Sequence, residues 1–247
     1  MQRSCYLTDL DSRERSVLSL LDRWPWYLGG VIIGGYAVIA YGPPRYSSDV
    51  DIVIPKTAVP TVRAWLKNDG LKLTKHSRPN PQNFAGEVER YRSAPITLDL
   101  LADAVRDRDA RVDIPERWIS MGARRMKLLT LSGRTTVEVP VSRPEALWAL
   151  KLQAGRPRDL SDLFAISDEP FDHVEVRSLF EGLKTNSLIT KLHSVRHRLE
   201  DPKIFVDSLS RRGLGKPSDR ENIRKWNRFV STVDSIIRPL ERATNGV

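Results

Sequence analysis

The sequence predicts an α/β (α+β) fold, with a mixed sheet over residues 1–142 and a helical region over 143–247. Three observations carry this. β-branched or alternating runs bounded by Gly and Pro crowd the first part of the chain. From Pro144 onward, apolar residues recur at helical spacing almost to the end. The 247 residues, 40% hydrophobic and 29% charged, have the make-up of a folded protein with room for one large domain or two small ones. Disordered, collagenous and low-complexity classes are set aside.

In chain order, Leu10, Val17, Leu18, Leu20 and Leu21 share a helical face within Asp9–Trp24, with Asp9 or Ser12 available as a cap. Val31–Gly35 is a β-branched run closing on Gly-Gly, and Asp49–Ile54 alternates acids with Val50, Ile52 and Ile54 before Pro55. These read as two strands flanking a helix. A further helix covers Ala58–Asn68 and stops at Gly70. Leu71–Lys75, Gly86–Arg92 and Ile96–Leu101 are strands, separated by a loop containing Pro79, Asn80 and Pro81 and by Pro95. Lys127–Leu131 and Thr135–Val141 are short strands with Gly133 in the turn between them. Helices follow at Pro144–Gln153, Asp159–Ile166, Val174–Leu183, Leu188–Arg198 and Glu221–Leu240. With no repeat and no long linker, the boundary near Arg143 reads as a change of class within one compact unit.

Forty basic against thirty-one acidic residues give a formal charge of +9, spread over both halves. That favours a polyanionic partner such as RNA, DNA or a nucleoside triphosphate without choosing among them, and a plain basic surface satisfies the same number. No charge stands between Arg23 and Arg45, and about 20 apolar residues can span a bilayer. Its paired glycines and the Pro43-Pro44 stop suit a strand, a turn and a short helix instead, so no membrane segment is expected. The mixed charges from Asp9 to Arg15 do not form a signal peptide. A lone Cys5 excludes a disulfide framework and a four-cysteine zinc site, and a reducing, cytoplasmic setting is expected.

The chemistry concentrates in residues 34–54, GGYAVIAYGPPRYSSDVDIVI. Asp49 and Asp51, two apart on a strand, project from one face with Cα atoms about 6.6 Å apart, while Val50, Ile52 and Ile54 face a core. Ile96–Leu101 repeats the pattern, with Asp99 opposite its apolar face. If the two strands are neighbours at about 4.8 Å, three carboxylates meet over one patch of sheet. Such a cluster is tolerable mainly when cations neutralise it. All-oxygen ligands select Mg²⁺ or Mn²⁺, and two such ions can clamp an in-line phosphoryl displacement. Gly34 and Gly35 let backbone N–H groups approach a triphosphate closely. Singly, each feature also reads as a solvated strand edge or a turn. His76, His173, His193 and His197 have no ligand spacing with acids or cysteine, and surface or core roles are expected for them.

Gly-Gly, thirteen intervening residues, Asp-Val-Asp in one apolar strand and a later Asp in another resemble the nucleotidyltransferase superfamily that includes DNA polymerase β. The segment ALKLQAGRPRDLSDL at 149–163 is similar to one in AbiE-type and MenT-type toxin nucleotidyltransferases. This resemblance, over about residues 25–165, implies transfer of a nucleotide from a nucleoside triphosphate with a divalent metal, on the acceptor end of tRNA in MenT relatives. It implies Gly34 and Gly35 at the triphosphate, Arg45 and Ser48 bordering the phosphates, Asp49 and Asp51 on metal, and Lys151 and Asp159 completing the site from the helical half. Arg158, with Arg156, suits phosphate, while Asp159 and Asp162 also read as structural partners of these arginines. Lys151 reads either as reaching inward or as snorkelling to water. For the third carboxylate the choice lies between Asp99 and Asp103, and Asp99 is preferred for its place inside the alternating strand.

The expected protein is thus a toxin-type enzyme acting on RNA, with tRNA as the leading acceptor and a cognate antitoxin as a possible partner. Arg196, Arg198, Arg211, Arg212, Lys216, Arg224, Lys225 and Arg228 would offer an RNA-backbone surface, or simply a solvated helix face. Rival readings change the acceptor to an aminoglycoside-like small molecule or a protein side chain, or make the chain a catalytically silent RNA- or protein-binding module.

Overall fold

Apolar residues on one face of α1 (Gln2–Arg23) drive the first packing contact, with Val17, Leu18, Leu20 and Leu21 all buried. The computed structural model describes residues 2–43, 45–78, 86–212 and 215–242. After α1 come β1 (Val31–Ile33), α2 (Gly34–Tyr41), β2 (Val50–Ile54), α3 (Val59–Asn68), β3 (Lys72–Ser77), β4 (Glu87–Ser93) and β5 (Ile96–Ala102). Then follow β6 (Ala104–Arg106), β7 (Asp113–Pro115), α4 (Glu116–Ser120), β8 (Arg124–Leu129) and β9 (Thr136–Val141). Seven strands form a mixed sheet in the order β3-β4-β5-β2-β1-β9-β8. The β2–β5 and β1–β9 pairs are parallel and the remaining pairs antiparallel. Alternation settles which face is core: Leu98, Leu100 and Ala102 of β5 are buried while Thr97, Asp99 and Leu101 are half-buried.

The chain divides into two compact units. The sheet unit is Met1–Val105 with Ile114–Arg143, and the helical unit is Arg106–Asp113 with Pro144–Val247. The excursion at 106–113 is closed on itself by Arg106, which grips Asp113 through two bonds of 3.0 and 2.6 Å.

The helical unit holds α5 (Pro144–Ala154), α6 (Pro157–Ala165), α7 (His173–Gly182), α8 (Asn186–Arg198), α9 (Pro202–Arg212) and α10 (Arg220–Arg242). All of α5 except Glu145 is buried, as a helix apolar on every side must be. Around it Trp148, Phe164, Trp226 and Phe229 form an aromatic core with ring centroids 5.3 to 5.8 Å apart. Asp172 caps α7 by accepting from the N–H groups of Val174 and Glu175, and Thr185 caps α8 through Leu188.

Several boundaries differ from expectation. The first strand stops at Ile33, and both glycines form the opening turn of α2. The β8 strand begins at Arg124, three residues before its predicted start. No element was expected at β6, β7, α4 or α9, the first three being too short to leave a readable period. The loop at Pro79, Asn80 and Pro81 lies outside the described residues. Among the described residues, no helix is long and apolar enough to cross a membrane.

Truncating Phe229 to Ala should cost about 3 to 5 kcal/mol of stability in urea denaturation of the full chain. Ile223→Ala, 42% exposed on the same helix, should cost no more than about 0.5 kcal/mol.

Candidate active site

Parallel pairing of β2 and β5 sets Asp51 directly beside Asp99, with Val50 beside Leu98 and Ile52 beside Leu100. Asp49 stands one residue ahead of β2. One carboxylate oxygen from each of Asp49, Asp51 and Asp99 lies within 4.8 Å of the others, and all three residues are half-buried. Asp103 falls just past the end of β5 at φ +73°, where its carbonyl accepts the Glu116 N–H, and it takes no part in this group.

The Gly-Gly pair is a steric requirement of the same group. A Cβ on Gly34, whose φ is +66°, would sit 2.0 Å from Asp51 Oδ2. One on Gly35 would sit 2.1 Å from Ser47 Oγ and 3.3 Å from Arg45 Nη2. Only glycine lets the start of α2 close against the carboxylate and the 45–49 segment. That segment is fixed from several sides. Ser48 Oγ donates to Asp49 Oδ1 at 2.9 Å, and Ser47 Oγ donates to the Asp49 carbonyl at 3.2 Å. Arg13 of α1 donates to the Ser48 carbonyl and the Tyr46 hydroxyl, its guanidinium lying 5.1 Å over the Tyr46 ring. Tyr36 is buried beneath this loop, and its hydroxyl has no hydrogen-bond partner among the described residues. Burial pushes its phenol well above the ordinary range, with Glu14 and Asp49 adding to the effect against Arg13. It therefore keeps its proton and remains a donor.

Arg90 is one of the residues that the sequence did not mark, with Ser47, Arg13 and Tyr36. It lies opposite Asp99 in the β4–β5 ladder and binds both carboxylate oxygens, Nε to Oδ1 at 2.6 Å and Nη2 to Oδ2 at 2.5 Å. The hydrogen bonds to Asp99 raise its pKa against the opposing effect of burial, and the charges of Asp99, Asp49 and Asp51 add to the rise. An arginine in a charged strand carries no signal of this in sequence; strand pairing alone creates the contact.

The donor set fits a hard divalent cation. It is all oxygen, and three acids converge, with Arg90 binding Asp99. Each Asp99 oxygen keeps a second lone pair beyond its bond to Arg90. On the opposite face of the sheet, β3–β4 pairing brings His76 beside Glu87 and Glu89, a grouping that sequence spacing concealed. Arg63 of α3 bonds both glutamates there, and Tyr91 donates to Glu89 at 2.8 Å. Its charges are already answered from within the protein.

In the helical unit, Lys151 points inward rather than snorkelling. Its Nζ lies 3.1 Å from Asp159 Oδ1 and 2.8 Å from Asp162 Oδ2, and both acids are buried. Arg156 binds Asp159 at 2.6 Å and completes a capping box for α6. Burial alone would raise the Asp159 pKa, but attraction to Lys151 and Arg156 outweighs it and holds the carboxyl below its usual value. Arg158 does not join this cluster; its side chain is exposed.

Three carboxylates beside a glycine-opened helix define a class of site, one suited to cations and polyphosphates. The family is given by the sequence: residues 30–236 match the family described as "Nucleotidyl transferase AbiEii toxin, Type IV TA system", and the chain belongs to it. It is a nucleotidyltransferase. No curated protein matches the chain. Among solved structures, JHP933 from Helicobacter pylori is similar at 19% identity, covering 96% of this chain and 94% of its own, with TM-score 0.35. A putative nucleotidyltransferase from H. pylori matches at 18% identity, 96% of both chains and TM-score 0.35. ANT(2″)-Ia in complex with adenylyl-2″-tobramycin matches at 15% identity, 80% of this chain and 99% of its own, with TM-score 0.32.

Arg90→Gln removes a cation competing for Asp99, so Mn²⁺ should bind at least several-fold more tightly in isothermal titration; equal or weaker binding would refute that competition. Lys151→Met removes a cation shared by two buried carboxylates and should cost about 3 to 5 kcal/mol at neutral pH. A carboxyl with a lowered folded pKa stabilises above its unfolded value and loses that contribution as pH falls. The Lys151→Met penalty should therefore shrink as pH falls into the acid range, where Asp159 takes up a proton and its attraction to Lys151 no longer counts.

Proposed function

We propose that this nucleotidyltransferase is a metal-dependent toxin that moves an NMP from an NTP to a hydroxyl of RNA, with tRNA as acceptor and a cognate antitoxin as its antagonist. The observation that carries this reading is the convergence of Asp49, Asp51 and Asp99 within 4.8 Å on neighbouring strands. Asp49, Asp51 and Asp99 would hold Mg²⁺ or Mn²⁺. The chemistry supplied when bound is charge neutralisation at the attacking and leaving oxygens.

The chain's own residues supply the remainder. Gly34 and Gly35, at the start of an eight-residue helix, present N–H groups and the positive end of the helix dipole to the triphosphate. Arg45 and Ser48 border the phosphates, and the buried Tyr36 hydroxyl and Arg13 Nε are donors left over for an anionic ligand. In the reaction the acceptor oxygen bonds to the α-phosphorus, the bond from that phosphorus to its bridging oxygen breaks, and pyrophosphate leaves with the electron pair. The acceptor proton passes to a free lone pair of Asp99, whose orientation Arg90 holds. Lys151, Asp159 and Arg158 enter this reading through their sequence segment alone, Arg158 as a phosphate contact and the Lys151–Asp159 pair as support.

Incubation with Mg²⁺, each labelled NTP in turn and total RNA should label RNA with the unmodified chain. The Asp49→Asn, Asp51→Asn double variant should give no label while keeping its urea midpoint. Equal labelling by that variant would refute the carboxylate mechanism.

A further inference from the structure

The two faces of β3, β4 and β5 sort charge. One carries Glu87, Glu89 and His76 under Arg63. On the other, ladder register sets Lys72 beside Arg92 beside Thr97, and Lys75 beside Arg90 beside Asp99 beside Asp51. A β-bulge at Thr74, whose Oγ1 donates to the Arg90 carbonyl at 3.1 Å, keeps this alignment. Without it, strict alternation from Lys72 would send Lys75 to the opposite face. Lys72, Lys75 and Arg92 are exposed, and none has an ion-pair partner among the described residues. Beyond the Arg90–Asp99 pair, Arg92, Lys75 and Lys72 therefore carry positive charge on the same face out to the sheet edge, at steps of about 4.8 Å per strand.

Resting on the proposed transfer to RNA, we infer that this basic face is the track for the acceptor: a single-stranded RNA segment whose backbone phosphates lie over Lys72, Lys75 and Arg92 and whose terminal hydroxyl reaches Asp99. Charge complementarity selects the occupant. A polycationic acceptor such as an aminoglycoside is repelled by cations that lead to the site, whereas a phosphodiester chain displaces counterions from each. A single strand also bends into a half-buried group where a stacked duplex end does not. Several cations of the helical unit are already engaged, though Lys216 and Arg224 are exposed. Arg196 is paired with Glu241, Arg198 with the Gly155 carbonyl, and Lys225 and Arg228 with Asp168. The side chains of Arg211 and Arg212 lie outside the described residues.

The test measures affinity for a fluorescein-labelled single-stranded RNA with a free 3′ hydroxyl between about 50 and 200 mM salt. In the Lys72→Gln, Lys75→Gln, Arg92→Gln variant the slope of log affinity against log salt should flatten by about 2, since each lost single-strand contact is worth about 0.7. Its affinity for NTP and its urea midpoint should be unchanged. A control, Lys216→Gln, Arg220→Gln, Arg224→Gln, removes the same charge from exposed positions of the helical unit and should leave the slope nearly unaltered. An unchanged slope in the first variant, or an equal loss in the control, overturns the track and leaves the face to an acidic protein partner. If the slope flattens as expected but the unmodified enzyme labels no RNA, the track stands as a binding surface and the transfer reading fails.

Discussion

The in-register parallel pairing of β2 with β5 is the constraint on which the rest of the site depends. It forces Asp51 and Asp99 side by side, with Asp49 a step away, in a half-buried setting where two like charges 4 Å apart repel by about 4 kcal/mol at an effective dielectric of about 20. A fold accepts such a cost only where something answers it. Inside the protein part of that answer is Arg90, bound through two nitrogens to Asp99. The glycines follow from the same constraint, since Asp51 occupies the space that a side chain at position 34 would need.

The apolar half of the sheet pays for this concentration of charge. Val50, Ile52, Leu98 and Leu100 are buried on the face opposite the acids, so the alternation that exposes each carboxylate also anchors its strand. A one-residue slip in either strand would bury aspartates and expose the core together, which pins the register. The helical unit handles its own buried charge differently. There Lys151, Asp159 and Asp162 neutralise one another, with Arg156 bridging to solvent, and the result is a closed network beside an aromatic core rather than an open site.

Read along the chain, the site was half legible. The acids at Asp49, Asp51 and Asp99 stand out because period-two alternation separates them from Val50, Ile52 and Leu98, and Gly34-Gly35 stands out because paired glycines interrupt a β-branched run. Arg90, Ser47, Arg13 and Tyr36 left no such mark. Each matters through a partner that is distant in sequence or concealed by the loop's path: Arg90 through a strand ladder, Arg13 through a helix docked on the 45–49 segment. His76 shows the same limit from the other side, since its proximity to Glu87 and Glu89 exists only once β3 and β4 pair.

By itself the sequence determined most of the longer helices and strands, though not α9, the apolar face of the alternating strands β2 and β5, and that carboxylates and glycines recur in the order of a nucleotidyltransferase. Those properties are local, set by periodicities of two and 3.6 residues. Strand order, parallel register, the bulge at Thr74 and the division of residues 106–113 into the helical unit were decided by tertiary structure alone. They depend on which surfaces bury one another across long stretches of chain, and no local period encodes that choice.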